Sequence, residues 1–119
     1  MIGNIDIKQP QYVTTSGGGS SWGSGEDVTI AGGVISVEAG KWYKVETQGG
    51  VASDDLDTIN GLSAGEQVML SAVNDAHTVV LKNGTGNLNI KVDTSLDDTT
   101  DRMILMSDGT NLVEASSRP

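Results

Sequence analysis

The single histidine, His77, stands in Asn74-Asp75-Ala76-His77, just before an apolar run. Nucleophilic catalysis needs a nucleophile, a base and an orienting group within hydrogen-bond reach. No Gly-x-Ser-x-Gly elbow accompanies this histidine, so it reads as a surface or edge residue. Acidic residues gather in two runs, Asp54, Asp55 and Asp57 with Asn60, and Asp97, Asp98 and Asp101. A calcium ion wants about six to eight oxygen ligands. The first run departs from the EF-hand order because Ile59 stands where a third Asp or Asn belongs. Both runs read as turns whose carboxylates cap nearby backbone groups. Gly40-Lys41 is followed by Trp42, which breaks the phosphate-loop pattern. A glycosidase pair would need two carboxylates about 5 to 10 Å apart in a cleft and, for sugar stacking, more aromatics than Tyr12, Trp22, Trp42 and Tyr43. Asn83-Gly84-Thr85 fits a glycosylation sequon but is better read as a tight turn. With no cysteine, disulfides and thiolate zinc sites are excluded. These residues imply no enzyme, no metal and no cofactor.

The elements that carry these residues read as short strands. Val28 and Ile30, then Val34, Ile35 and Val37, flank Gly32-Gly33, which predicts a hairpin. Trp42 to Thr47 alternates, with Trp42, Lys44 and Glu46 on one face and Tyr43, Val45 and Thr47 on the other. Residues 51 to 65 predict a loop with a short strand or a helical turn. Val68, Leu70 and Ala72 share one face of the next strand, and Thr78 to Lys82 reads as a central strand. Asn83-Gly84 predicts a hairpin into Leu88, Ile90 and Val92. Asp108-Gly109 predicts another between Met103–Met106 and the closing run Asn111–Ala115. Turn signals every eight to twelve residues or so suit an all-β fold. The expectation is a compact antiparallel β-sandwich or barrel, because consecutive connections are too short for parallel crossovers. Asn83-Gly-Thr-Gly-Asn-Leu echoes Asp108-Gly-Thr-Asn-Leu, but two copies are too few to read as a solenoid.

Residues 1 to 25 differ from residues 26 to 119, the β-domain. Ile2, Ile5, Ile7, Tyr12 and Val13 make a strand-like arm, and Ser16 to Gly25 is a Gly/Ser linker holding Trp22. Such an arm buries little alone, so it is expected to add to a partner's sheet edge or to swap onto a neighbouring copy. The net charge of -9 argues against nucleic acid and anionic membranes as partners. No run of about 20 apolar residues is present to span a bilayer, and no signal peptide is visible, so the product is expected to stay in the compartment, or an assembly built there, where it is made.

From about Val45 to Ser117 the chain resembles β-modules of tailed-bacteriophage virion proteins. Glu46-Thr-Gln-Gly-Gly-Val-Ala-Ser-Asp-Asp-Leu-Asp-Thr-Ile-Asn-Gly carries the resemblance first. Gly65-Glu-Gln-Val-Met-Leu with Asn74-Asp-Ala-His-Thr-Val-Val-Leu-Lys-Asn-Gly-Thr-Gly-Asn-Leu carries it next, and Thr94-Ser-Leu-Asp-Asp-Thr-Thr-Asp-Arg-Met-Ile-Leu with Asp108-Gly-Thr-Asn-Leu-Val-Glu ends it. Leu112 stands where that family usually has Trp. The resemblance implies a homotrimer that decorates the outer head surface, made in the host cytoplasm, with the major capsid protein as partner. A receptor-binding or fibre-tip module is the alternative. A fibre calls for a long shaft, so the short chain points to a head decoration (cement) protein. The candidate interface residues are Ile5, Ile7, Tyr12, Trp22, Trp42 and Tyr43, of which Trp42 and Tyr43 also suit the core.

Overall fold

The computed structural model describes residues 22 to 115. Ten short strands form where β-branched and long apolar residues alternate with polar ones: β1 (Glu26–Thr29), β2 (Val34–Ser36), β3 (Trp42–Glu46), β4 (Ser53–Leu56), β5 (Thr58–Asn60), β6 (Gln67–Ala72), β7 (Thr78–Leu81), β8 (Thr94–Leu96), β9 (Met103–Ser107) and β10 (Leu112–Glu114). The only helical piece among the described residues is a 3₁₀ turn at Gln48–Gly50. The all-β class agrees with the sequence reading. The stretch 51 to 65 holds two strands, β4 and β5, in place of one.

The strands sort into three sheets, ordered β1-β3-β6-β9-β10, β2-β5 and β4-β7-β8. Their directions correct the antiparallel expectation. β1 runs parallel to β3, β3 to β6, β2 to β5 and β4 to β7. Only β6–β9, β9–β10 and β7–β8 are antiparallel. The expectation assumed that neighbours in sequence pair in space. Here the chain winds from sheet to sheet; parallel partners lie 24 to 27 residues apart in the β2–β5, β4–β7 and β3–β6 pairs, within the range of solenoid repeats, and 17 apart in β1–β3. These steps exceed the dozen or so residues a parallel connection needs, with strands and corners doing the work of a crossover helix. Two coils and part of a third therefore exist without the repeat that the Gly-Thr echo failed to supply.

Coiling in register stacks like on like. Tyr43, Leu70 and Met103 lie side by side, as do Val45 and Ala72, Ile35 and Ile59, Leu56 and Leu81, and Val68 and Leu105. All are buried in one apolar cluster drawn from the three sheets. Each fully buried Val, Leu or Ile contributes about 1.5–3 kcal/mol, which lets a chain without Phe hold a core. Turns lie at the corners. Gly32-Gly33 makes a tight turn closed by Ala31 and Val34, and β1 and β2 then enter different sheets, so the expected hairpin is a corner. At Gly61 φ is +113°, and a Cβ would lie 2.1 Å from the Val37 carbonyl oxygen.

The third coil ends without a third strand. In its place Asn87 uses its side chain as backbone, accepting a hydrogen bond from Ile59 N (2.9 Å) and donating to Ile59 O (2.8 Å). Asn83-Gly84 opens this segment rather than a hairpin, since Gly84 N donates to Leu88 O while β7 pairs with β8. The chain then reverses near Lys91, which sits at φ +82°. β8 and β9 return antiparallel to β7 and β6, and β10 reverses again beside β9. The Asp108-Gly109 hairpin joins β9 to β10 as expected. Leu112, in the position of the family's Trp, is buried and hydrogen-bonds to Asn87 and Asn89.

Two outcomes follow from this end of the fold. Asn87→Ala strands the N–H and C=O of buried Ile59 and lowers the unfolding free energy by about 3 kcal/mol, at about 1–3 kcal/mol per orphaned group. Lys91→Gly relieves a left-handed backbone that disfavours any Cβ and raises stability by about 1 kcal/mol. Urea denaturation of the two variants beside the parent chain measures both.

Candidate functional site

β3 positions the aromatic residues. Its alternation turns Tyr43 inward, where it is 6% exposed and its hydroxyl accepts a hydrogen bond from Glu38 N at 2.9 Å. Tyr43 is therefore a core residue. Trp42, one residue earlier, faces outward and is half-buried. Its indole N–H donates to Ser71 Oγ of β6 at 2.8 Å, and the Arg102 guanidinium lies 4.6 Å from the ring centroid, a cation–π distance. The Trp42 backbone N–H donates to Trp22 O at 3.0 Å. The two tryptophans are thus brought together, with Gly25, Glu26, Gly40 and Lys41, around an open groove of about 440 Å³. Ile5, Ile7 and Tyr12 lie outside the described residues.

The groove's polar rim is already engaged. Lys41 Nζ contacts Glu38 Oε1 at 2.9 Å and Glu26 Oε2 at 3.0 Å. Hydrogen bonds donated to the Glu38 and then the Glu26 carboxylate hold the ammonium above its ordinary range. Trp42 has little free surface as a stacking platform. Arg102 covers it, and a Cβ added to Gly25 would meet the ring at 3.1 Å.

The acidic runs cap turns. Asp54 Oδ2 accepts from Gln48 N and Oδ1 from Asp55 N. Asp98 Oδ1 accepts from Thr100 N and Oγ1, and Asp108 Oδ1 accepts from Thr110 N and Asn111 N. These backbone donors hold the Asp98 and Asp108 carboxyls below the usual range. Asp97 goes the other way, pushed up by hydrogen bonding to the Asp101 carboxyl beside it. Among the described residues no three His, Asp or Glu side chains converge as a metal centre would require.

One pairing was not legible in the sequence. His77, in the loop after β6, places Nδ1 2.7 Å from Glu46 Oε1 at the end of β3. The same oxygen accepts from Thr47 N at 2.8 Å. Thr47, fully buried, donates from Oγ1 to Val51 O at 2.6 Å. Positions 46 and 77 share no motif. Only the parallel stacking of β3 on β6 brings them into reach.

Burial works against the Glu46 charge, and the hydrogen bonds from His77 and Thr47 outweigh it, so the carboxyl is held below its ordinary 4.5. A carboxyl lowered on folding contributes stability at pH above 4.5 and loses it as the pH falls through the folded value. Glu46→Gln is therefore less stable than the parent at neutral pH, by about 1 kcal/mol, and its stability falls less steeply in acid. Denaturant titrations from pH 7 to pH 3 read both effects. Compared with protein-family models, with curated proteins and with solved structures, the chain finds no match.

Proposed function

We propose that this chain is a non-enzymatic structural module of a tailed-phage virion, a decoration protein that sits as a homotrimer on the outer head and braces the major capsid protein. The reading starts from the ordered resemblance of residues 45 to 117 to virion β-modules. The structural observation that carries it is how the polar side chains are used. Asp54, Asn74, Asn83, Asn87, Asp98 and Asp108 all hydrogen-bond to backbone groups of turns or neighbouring segments. Bonds of that kind fix loops in place, which suits a part that resists deformation. The role is mechanical: three copies bridging capsid subunits oppose expansion of the shell, and multivalent docking raises avidity without stronger single contacts.

A receptor-binding or fibre-tip role is favoured by one observation, the open Trp22–Trp42 groove with its ionic rim. Host-cell binding by the purified chain, lost in Trp22→Ala, would support that alternative.

The test of the decoration reading is co-sedimentation with tailed-phage heads assembled without this chain. Bound material is expected at saturating stoichiometry, with heads that withstand higher temperature before releasing DNA. Heads that neither bind the chain nor gain heat resistance overturn the reading.

A further inference from the structure

The three sheets present unlike outer surfaces. Outward positions of β4, β7 and β8 form the row Asp55, Val80, Ser95. Those of β2 and β5 pair Val34 with Thr58 and Ser36 with Asn60. These are polar or mixed surfaces. The five-stranded sheet differs. Trp42, Met69 and Ile104 form one row across β3, β6 and β9, and Ala115 N donates to Ile104 O, which continues it. Met106 and Val113 form the adjacent row with Gln67. All six apolar residues are half-buried, although they face away from the core. Each sheet turns its other side into the common core, so no strand among the described residues is left to cover this face.

Arg102 covers Trp42, and Met69, Ile104, Met106, Val113 and Ala115 continue the apolar surface over β6, β9 and the end of β10; contiguous apolar surface rimmed by polar groups is the kind that contact sites use. Charge identifies the occupant. The patch contains no carboxylate. Its neighbours Lys44 and Glu46 are matched by Asp27 (3.6 Å) and His77 (2.7 Å), and Arg102 lies over Trp42. Elsewhere the surface is acidic, and the whole chain carries -9. Two such chains repel wherever carboxylates meet, and this face lets them touch without that cost. A basic partner would instead be drawn to the acidic sheets and turns.

We propose that copies of this chain meet through the outer face of the five-stranded sheet, with Met69, Ile104 and Met106 at the centre of the contact. The proposal rests on the reading of the chain as an assembling virion module. It deepens that reading by naming the surface.

The experiment is a native mass measurement on the full chain, its Met69→Glu and Ile104→Glu variants, and Val80→Glu on the β4-β7-β8 sheet. The parent and Val80→Glu are expected at three times the mass of one chain. Met69→Glu and Ile104→Glu are expected at the mass of one chain, with unchanged circular dichroism. Should a buried-edge charge unfold the chain, Met106→Ser serves instead and is expected to weaken assembly at least tenfold. A parent chain that is a single copy, or folded face variants that stay assembled, overturns the proposal. Co-sedimentation with heads separates the two readings. A chain that assembles through this face but ignores heads leaves the contact standing and removes the virion role. A single copy that pellets with heads does the reverse.

Discussion

Parallel backbone pairing between successive coils is the constraint on which this fold depends. Once β3 lies in register on β1, and β6 on β3, the identity of every buried neighbour is set. The stack requires apolar residues at matching positions of each coil, and the chain supplies Val28, Val45 and Ala72 along one line and Leu56 and Leu81 along another. A slip of one residue would turn each line outward. Registry and core composition thus enforce each other. The corner glycines are needed only because the path must bend sharply between walls.

The same winding explains how the surface chemistry arises. Residues far apart in sequence, such as Glu46 and His77, meet because one coil stacks on the next. Ser71 receives the Trp42 indole for the same reason. Side-chain amides extend the ladder where strands run out, at Asn87 for the β2–β5 sheet and at Asn83 beneath Ile90. Polar residues in this chain mostly serve backbone geometry, which accounts for acidic runs that look like ion sites in sequence and are turn caps in space.

Strand positions were legible. The alternation of Val68, Leu70 and Ala72, and of Tyr43, Val45 and Thr47, told which side of each strand is buried, and all six are. It also placed Trp42 opposite Tyr43. Pairing was not legible, because a period of two residues names a face but not the neighbouring strand or its direction. Gly32-Gly33, Asn83-Gly84 and Asp108-Gly109 carry the same local turn chemistry, yet only the last joins two paired strands. What separates them is the distance along the chain to the next matching apolar line. The Glu46–His77 contact was hidden for that reason, and so was the apolar outer face, whose members come from four strands.

β10 has a further consequence. It hydrogen-bonds to β9 on one side, and through Leu112 to Asn87 and Asn89 on the other. It therefore joins the five-stranded sheet to the Asn87 segment that continues the β2–β5 sheet. During synthesis β1 to β7 leave the ribosome before β10, the last strand among the described residues, can add this link. Shortening the chain from that end would break this link rather than merely fray a terminus.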